Sequence, residues 1–375
     1  MLSFPPSNKI EFELKMLHEF FVETYRDLEE LSSNEAKYLN RFALISNIGA
    51  STRIENAILT DQEIDWVDTV LNENGKTTAF DEKRAFILDK LSKDRERSIE
   101  EVVGCRQVLS TIYLQANELF PLTETVIRGL HHDLLRYYPE TASHAGGYKT
   151  APNRVVFINH ATGEHRVVLD PAPPGVINST AMADLVKWYN ATISKHPWPL
   201  LVATEFVFRF LSIHPFQDGN GRLGRALFIL ALLQSKDKYL TGISSFLAVD
   251  RHIEQNRSLY YTVLHQCSDG KFQADPTHYN LEPLAWFFIK VIQSSLADVE
   301  IYRQKYTSLQ KLSESSLAVL SCFKAGPEKR LKVANLVTET GLPRRTIQYA
   351  LNTLTKQGFL QMLGRGAGSR YQLLF

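Results

Sequence analysis

The sequence predicts a mainly α protein: a helical core interrupted by one β-hairpin, then a small C-terminal domain of three helices and two strands. Three observations carry this. Apolar residues recur at helical spacing along much of the 375-residue chain, and two strongly apolar segments, 205–213 and 226–233, read as buried helices. β-Branched runs at 154–159 and 166–169 flank a Gly-containing turn, which is a hairpin signal. At Ser313-Glu314-Ser315-Ser316 the composition shifts and shorter elements follow. We therefore divide the chain into an N-terminal helical region (1–115), a core (116–312) and a C-terminal domain (313–375).

Composition bounds the function. The formal net charge is +1, so no global polyelectrolyte partner is implied. Cys105, Cys267 and Cys322 are scattered and odd in number, which supports neither a disulfide framework nor a zinc site. The first 14 residues lack a signal-peptide pattern, and no apolar run approaches the roughly 18 to 20 residues of a membrane span. A cytoplasmic protein without a membrane partner is expected.

Residues 10–31 carry Phe12, Met16, Phe20, Val22 and Tyr25 among charges, an amphipathic helix expected to pack through these side chains. In Ala50-Ser51-Thr52-Arg53-Ile54-Glu55-Asn56, Ser51 and Glu55 stand one helical turn apart and share a face. Thr60-Asp61-Gln62-Glu63 is a capping sequence, and Asn74-Gly75 is expected to end the helix it starts. Further helices are expected at 98–119 and 126–138. The hairpin follows, with a turn at Ala161-Thr162-Gly163-Glu164 and with His160 and His165 expected in solvent. A Pro-rich linker at 171–175 leads into a helix at 182–193.

The densest chemistry is His214-Pro215-Phe216-Gln217-Asp218-Gly219-Asn220-Gly221-Arg222-Leu223-Gly224-Arg225, a polar cluster between the two most apolar segments. Pro215 is expected to break the first helix near His214, and Gly219-Asn220-Gly221 to form a tight loop with positive φ. A second helix starting near Arg222 would point unpaired N–H groups into that loop, making an anion site that Arg222 and Arg225 both reach. Asp218 beside such a nest suits Mg²⁺. His214 supplies a base that is neutral near pH 7. The cluster reads as a phosphate-transfer site.

The string resembles the signature of the Fic family, H-x-F-x-D/E-G-N-G-R-x-x-R, at every specified position. The resemblance implies a helical core with the motif between two helices and the transfer of AMP from ATP to a protein hydroxyl. It implies His214 as the base, Asp218 as the ligand of Mg²⁺ or Mn²⁺, and Gly219, Asn220 and Gly221 as the anion hole. Arg222 and Arg225 would hold the outer phosphates, and Phe216 would anchor the loop. Gly221 favours nucleotidyl transfer over the kinase-like Doc branch. The hairpin, 154–169, resembles the family's flap, on which a target protein adds a strand. Gly147-Tyr148-Lys149 resembles the Gly-x-x-Arg usual before it, but the expected arginine is absent.

Beside this motif, Ser51, Glu55 and Asn56 match the family's inhibitory pattern S/T-x-x-x-E-G/N. The match implies an intramolecular inhibitor whose glutamate pairs with Arg225 in the place of a γ-phosphate, and in some relatives that glutamate assists AMP removal. Behind the motif, Asn256, Tyr260 and Tyr261 resemble the segment bordering the adenine pocket; a helix that buries both tyrosines for packing accounts for them equally well. A core-closing helix is expected at 282–301.

In the last domain, helices at 317–323, 333–340 and 344–356, a strand at 360–363, a Gly-rich turn and a strand at 370–374 resemble a winged helix-turn-helix. This stretch holds nine Lys or Arg against three Asp or Glu, so basic charge is concentrated here. DNA contact through Arg344, Arg345, Thr346, Gln348 and Arg365 and a protein-contact role are both open. Three functions are carried forward: an autoinhibited adenylyltransferase, the transferase of a different nucleotide, and a DNA-binding regulator whose core senses nucleotide. The oligomeric state stays open, a homo-oligomer included.

Overall fold

The computed structural model describes residues 1–72, 78–91, 95–159, 164–327 and 329–374. Two expectations fall outside them: the helix end at Asn74-Gly75 and the hairpin turn with His160. The side chain of His165 is likewise outside the described set.

Helix α1 (Asn8–Glu29) opens on the Ser7 hydroxyl, which accepts the Ile10 N–H, and α2 (Ser33–Ile54) opens on Ser32 in the same way. Helix α3 (Asp61–Leu71) begins with a full capping box between Thr60 and Glu63. Then come α4 (Phe80–Leu91), α5 (Glu96–Gln115), α6 (Glu124–Leu135) and the short α7 (Pro139–Ala142). Strands β1 (Val155–Asn159) and β2 (Glu164–Leu169) pair antiparallel, with an irregularity between Val155 and Val156. Seven helices follow: α8 (Val176–Thr192), α9 (Pro199–Ile213), α10 (Asn220–Leu233), α11 (Lys238–Ser244), α12 (Val249–Gln255), α13 (Arg257–Ser268) and α14 (Glu282–Gln310). The chain ends with α15 (Glu314–Lys324), α16 (Val333–Thr340), α17 (Arg344–Lys356) and the antiparallel strands β3 (Leu360–Leu363) and β4 (Arg370–Leu373).

These elements form two compact units, each built from two segments: 1–57 with 100–300, and 58–99 with 301–375. The sequence suggested three consecutive regions. Composition marks where a chain changes character, but it cannot show that segment 58–99 groups with the C-terminal part.

The first unit is centred on α9 and α10. Nearly every side chain of both is buried, and Phe228 of α10 stacks on Phe288 of α14 with ring centroids 4.2 Å apart. Burying side chains of this size is worth about 1.5–3 kcal/mol each. Helix α2 packs on α12, and β2 on α13. The expected packing face of α1 is corrected: Phe12, Met16 and Phe20 are exposed, while Ile10, Leu14, Leu17, Phe21 and Leu28 are buried. The helix has two apolar stripes, and the longer one, spaced three and four residues apart, faces the core. Helix α8 starts at Val176, directly after Gly175, rather than at 182. Helix α14 continues past 301 because neither Gly nor Pro interrupts it before Gln310.

In the second unit, the last three helices close on a core of Val319, Leu320, Phe323, Leu336, Ile347, Leu351, Leu354 and Leu360. Leu331 pairs with Tyr371 and extends the β3–β4 ribbon. This is the winged helix-turn-helix order expected, with α15 beginning three residues early on its Ser313 cap. No described helix is long and apolar enough to cross a membrane.

Candidate active site

Helix α9 stops where the sequence says it must. Ile213 is its last residue, and His214 caps it in the left-handed region at φ 51°, its N–H donating 2.8 Å to Phe210 O. Pro215 has no N–H to continue the ladder. The next four residues form a loop fastened by two side chains. Phe216 is fully buried with its ring stacked 3.7 Å from that of His131, on α6. Asn220 accepts the Phe216 N–H at 3.0 Å and donates 2.8 Å to Phe216 O, so its amide closes the loop from both sides.

Helix α10 begins at Asn220, two residues before the position expected, with Gly219 as its cap at φ 77°. Of the Gly-Asn-Gly triplet, only Gly219 takes positive φ. The first backbone bond of the helix runs from Leu223 N–H to Gly219 O, 2.9 Å, which leaves the N–H groups of Asn220, Gly221 and Arg222 without intrahelical acceptors. They open into a cavity of about 280 Å³, lined by His214, Asp218, the first turn of α10, Arg222, Arg225, Glu55, the hairpin and α13.

The two arginines differ in their partners. Arg225, 2 % exposed, donates through Nε to Ser51 Oγ (3.0 Å) and through Nη2 to Ser51 O (2.8 Å) and Glu55 Oε1 (2.9 Å). Burial opposes its charge, but the carboxylates of Glu55 and the buried Asp250 outweigh burial and hold its pKa above the ordinary value. Arg222, 3 % exposed, has Glu101 and Asp218 carboxylates at 3.8 and 3.7 Å, and its Nε and Nη1 have no hydrogen-bond acceptor. A buried guanidinium with spare donors beside a helix N-terminus is an acceptor site for an anion.

Glu55 lies in that anion site. It caps α2, and its carboxylate reaches over the first turn of α10, where a Cβ on Gly221 would overlap Glu55 Oε1. The glycine is there for close approach, since its φ is not in the positive range. The end of α2 is fastened by a bidentate pair, Arg53 to Glu254 at 2.7 and 2.9 Å, and by Arg257 donating 3.3 Å to Asn56 Oδ1.

His214 Nδ1–H donates 3.2 Å to Leu211 O, which leaves Nε2 as the basic nitrogen. Burial, then the neighbouring Lys149 ammonium, pushes its pKa down to about 4, so the imidazole is neutral near pH 7. Asp218 is half-exposed and accepts the Gly219 N–H at 2.6 Å. Among the described residues, no three His, Cys, Asp or Glu side chains gather to cage a metal. One carboxylate facing an anion site suits a hard cation that a ligand's phosphate oxygens share.

Of the residues named from the sequence, Tyr260 and Tyr261 line this cavity. The Tyr261 ring packs 5.2 Å from that of Phe157 on β1, and Tyr260 packs against Phe287. Asn256 does not line it: its amide donates 2.9 Å to His252 O, and it faces a different cavity with Trp286 and Phe287. Three supporting residues were not singled out. His131 Nε2–H donates to Asp218 O (2.9 Å) while its Nδ1 accepts the Gly146 N–H (2.8 Å). Asn153 donates 2.9 Å to Phe216 O, and Asp250 sits buried near Arg225. No local pattern marks them, because each acts through a contact distant in sequence.

Comparison with known proteins gives the family and the fold. The family model described as the Fic/DOC family matches residues 121–232, and the IclR helix-turn-helix domain matches residues 315–363. A Fido domain-containing protein of Dictyostelium discoideum is 31% identical over 102 residues, covering 24% of this chain and 69% of that protein. The crystal structure of a Fic family protein from Desulfovibrio desulfuricans aligns over 100% of this chain and 98% of its own, with TM-score 0.57 and 22% identity. A Fic domain-containing signalling protein from Bacteroides thetaiotaomicron aligns over 78% of this chain and 98% of its own, with TM-score 0.56 and 23% identity. At these identities the two structures speak for the fold alone.

Proposed function

Because the chain belongs to the Fic/DOC family, we propose that it is an autoinhibited protein adenylyltransferase, which moves AMP from ATP to a Ser, Thr or Tyr hydroxyl of a target protein. The observation that carries the reading is the seat of Glu55. A carboxylate of the chain itself rests on Arg225 and on the first turn of α10, where a nucleotide's outer phosphate would be held.

In the reaction, the target hydroxyl gives its proton to His214 Nε2 as its oxygen bonds to the α-phosphorus, and the bond to the bridging oxygen breaks to release pyrophosphate. The free N–H groups of Asn220, Gly221 and Arg222, with the spare donors of Arg222, stabilise charge on the phosphates. Mg²⁺ or Mn²⁺ held by Asp218 and phosphate oxygens would neutralise further charge. The adenine end fits between the hairpin and α13, beside Tyr260 and Tyr261. The target segment would add to the hairpin as a strand, which sets its hydroxyl against His214.

For the C-terminal domain we propose duplex DNA as partner. Arg344, Arg345 and Gln348 are exposed on α17 while Ile347, Ala350, Leu351 and Leu354 fix its other face. A core that only senses nucleotide has no use for the base that His214 provides.

The test is labelling of a cell lysate with α-labelled ATP and Mg²⁺ by wild type, Glu55→Gly and Glu55→Gly/His214→Ala. Label that appears with the first variant and vanishes with the second supports the transferase. Equal label with and without His214 sinks it, and label only from a different nucleotide reassigns the substrate.

A further inference from the structure

We infer that Lys149 is a positioning residue for His214, gripping the chain on both sides of the imidazole. The inference rests on His214 being the base. The backbone N–H of Lys149 donates 2.9 Å to Pro215 O, and its Nζ donates 3.1 Å to Ile213 O, so the two carbonyls flanking His214 are held by one residue. The same Nζ donates 2.9 Å to Asn153 Oδ1, and Asn153 in turn donates 2.9 Å to Phe216 O. His214 needs such a grip, because a left-handed φ costs a residue with a Cβ about 1 kcal/mol or more and persists only where its surroundings impose it.

The grip is also electrostatic. Lys149 is 3 % exposed, and among the described residues no carboxylate lies within 4.0 Å of it. Its partners are amide and carbonyl oxygens, one of them in the last turn of α9, where the helix end is negative. The charged groups facing His214 are Lys149 from the segment before the hairpin, Glu55 from the end of α2 and Asp218 from the loop. Glu55 and Asp218 favour imidazolium; burial and Lys149 oppose it and prevail. Burial also pushes Lys149 down to about 8, still charged at neutral pH.

A lysine satisfies these oxygens with tetrahedral donors on a single nitrogen, whereas a planar fork reaches them with different geometry.

Two measurements on the full chain test this. By histidine-selective NMR without nucleotide, His214 in Lys149→Gln should titrate about one pH unit higher than in wild type. In a Glu55→Gly background, Lys149→Gln should lower kcat about tenfold or more, with the KM for ATP nearly unchanged. Identical His214 titration in the two proteins, or a full kcat in Lys149→Gln, overturns the inference. If Lys149→Gln does not fold, Lys149→Arg carries the test: the charge is kept, so His214 should titrate as in wild type while kcat falls several-fold. A full kcat in Lys149→Arg, or a His214 titration displaced from that of wild type, would overturn it. The titration needs no substrate, so absent labelling with the expected NMR shift faults the adenylyl reading and leaves the role of Lys149 standing.

Discussion

Glu55 Oε1 lies 2.9 Å from Arg225 Nη2, in the concavity that the first turn of α10 leaves open over Gly221. A charge-assisted bond of this kind is worth about 1.5–3 kcal/mol, and an incoming phosphate has to displace it. Glu55→Gly is therefore expected to raise AMP transfer by about tenfold or more. Initial rates of incorporated label check the expectation, and an unchanged rate would mean that Glu55 does not compete with nucleotide.

Gly221→Ala should expel Glu55 without activating the enzyme. The added Cβ overlaps Glu55 Oε1, but it also stands in the space that a phosphate oxygen needs. Transfer by Gly221→Ala and by Gly221→Ala/Glu55→Gly should both stay at least about tenfold below that of Glu55→Gly alone. A double variant as active as Glu55→Gly would place the phosphates elsewhere.

Phe216 makes the loop part of the core. Its ring is fully buried against His131, and both of its backbone groups are bonded to Asn220. Phe216→Ala should cost about 3–5 kcal/mol of stability, seen as a lowered midpoint in denaturant. Transfer should fall more than stability alone explains, because His214 and Asp218 lose their spacing.

Acidification should weaken the same region. His131 and His214 are both held neutral down to about 4, mainly by burial, against an ordinary 6.5. Between those values the unfolded chain binds more protons, so their contribution is whole above pH 6.5 and is lost as pH falls toward 4. Asp250 acts oppositely: burial raises its pKa to about 6 from 3.8, so its contribution grows as pH falls through that window. Burial also raises Glu205, which acts as Asp250 does, and lowers His196, which acts as the other histidines do; three histidines against two carboxyls leave a net loss, and the melting temperature should drop from pH 7 to 4.5. His131→Gln should flatten that slope; a slope unchanged in the variant would assign the acid sensitivity to other groups.

Much of this was legible because local rules act locally. Pro215 ends α9, Thr60 and Glu63 build a capping box, and the motif places its polar side chains within twelve residues. What stayed hidden depends on contacts distant in the chain. Nothing around His131 announces its stack on Phe216, and nothing in α1 says which of two apolar stripes faces inward. Asn256 shows the converse: its likeness to the adenine-bordering segment put it at the cavity, yet its amide is committed to His252 O.

The C-terminal domain yields the prediction that depends least on the active site. Arg344 and Arg345 open α17 with exposed side chains, and Arg365 lies on the wing. Each cation that meets a phosphate releases counterions, so log K should fall with log salt by about 0.9 per contact. Binding of the full chain to duplex DNA, measured across a salt series, should show a slope near that of a few contacts, and Arg345→Ala should reduce the slope by about one. Because α17 keeps its buried face of Ile347, Ala350, Leu351 and Leu354, the substitution should leave the melting temperature unchanged. Absence of binding at low salt would leave the domain with a protein-contact role.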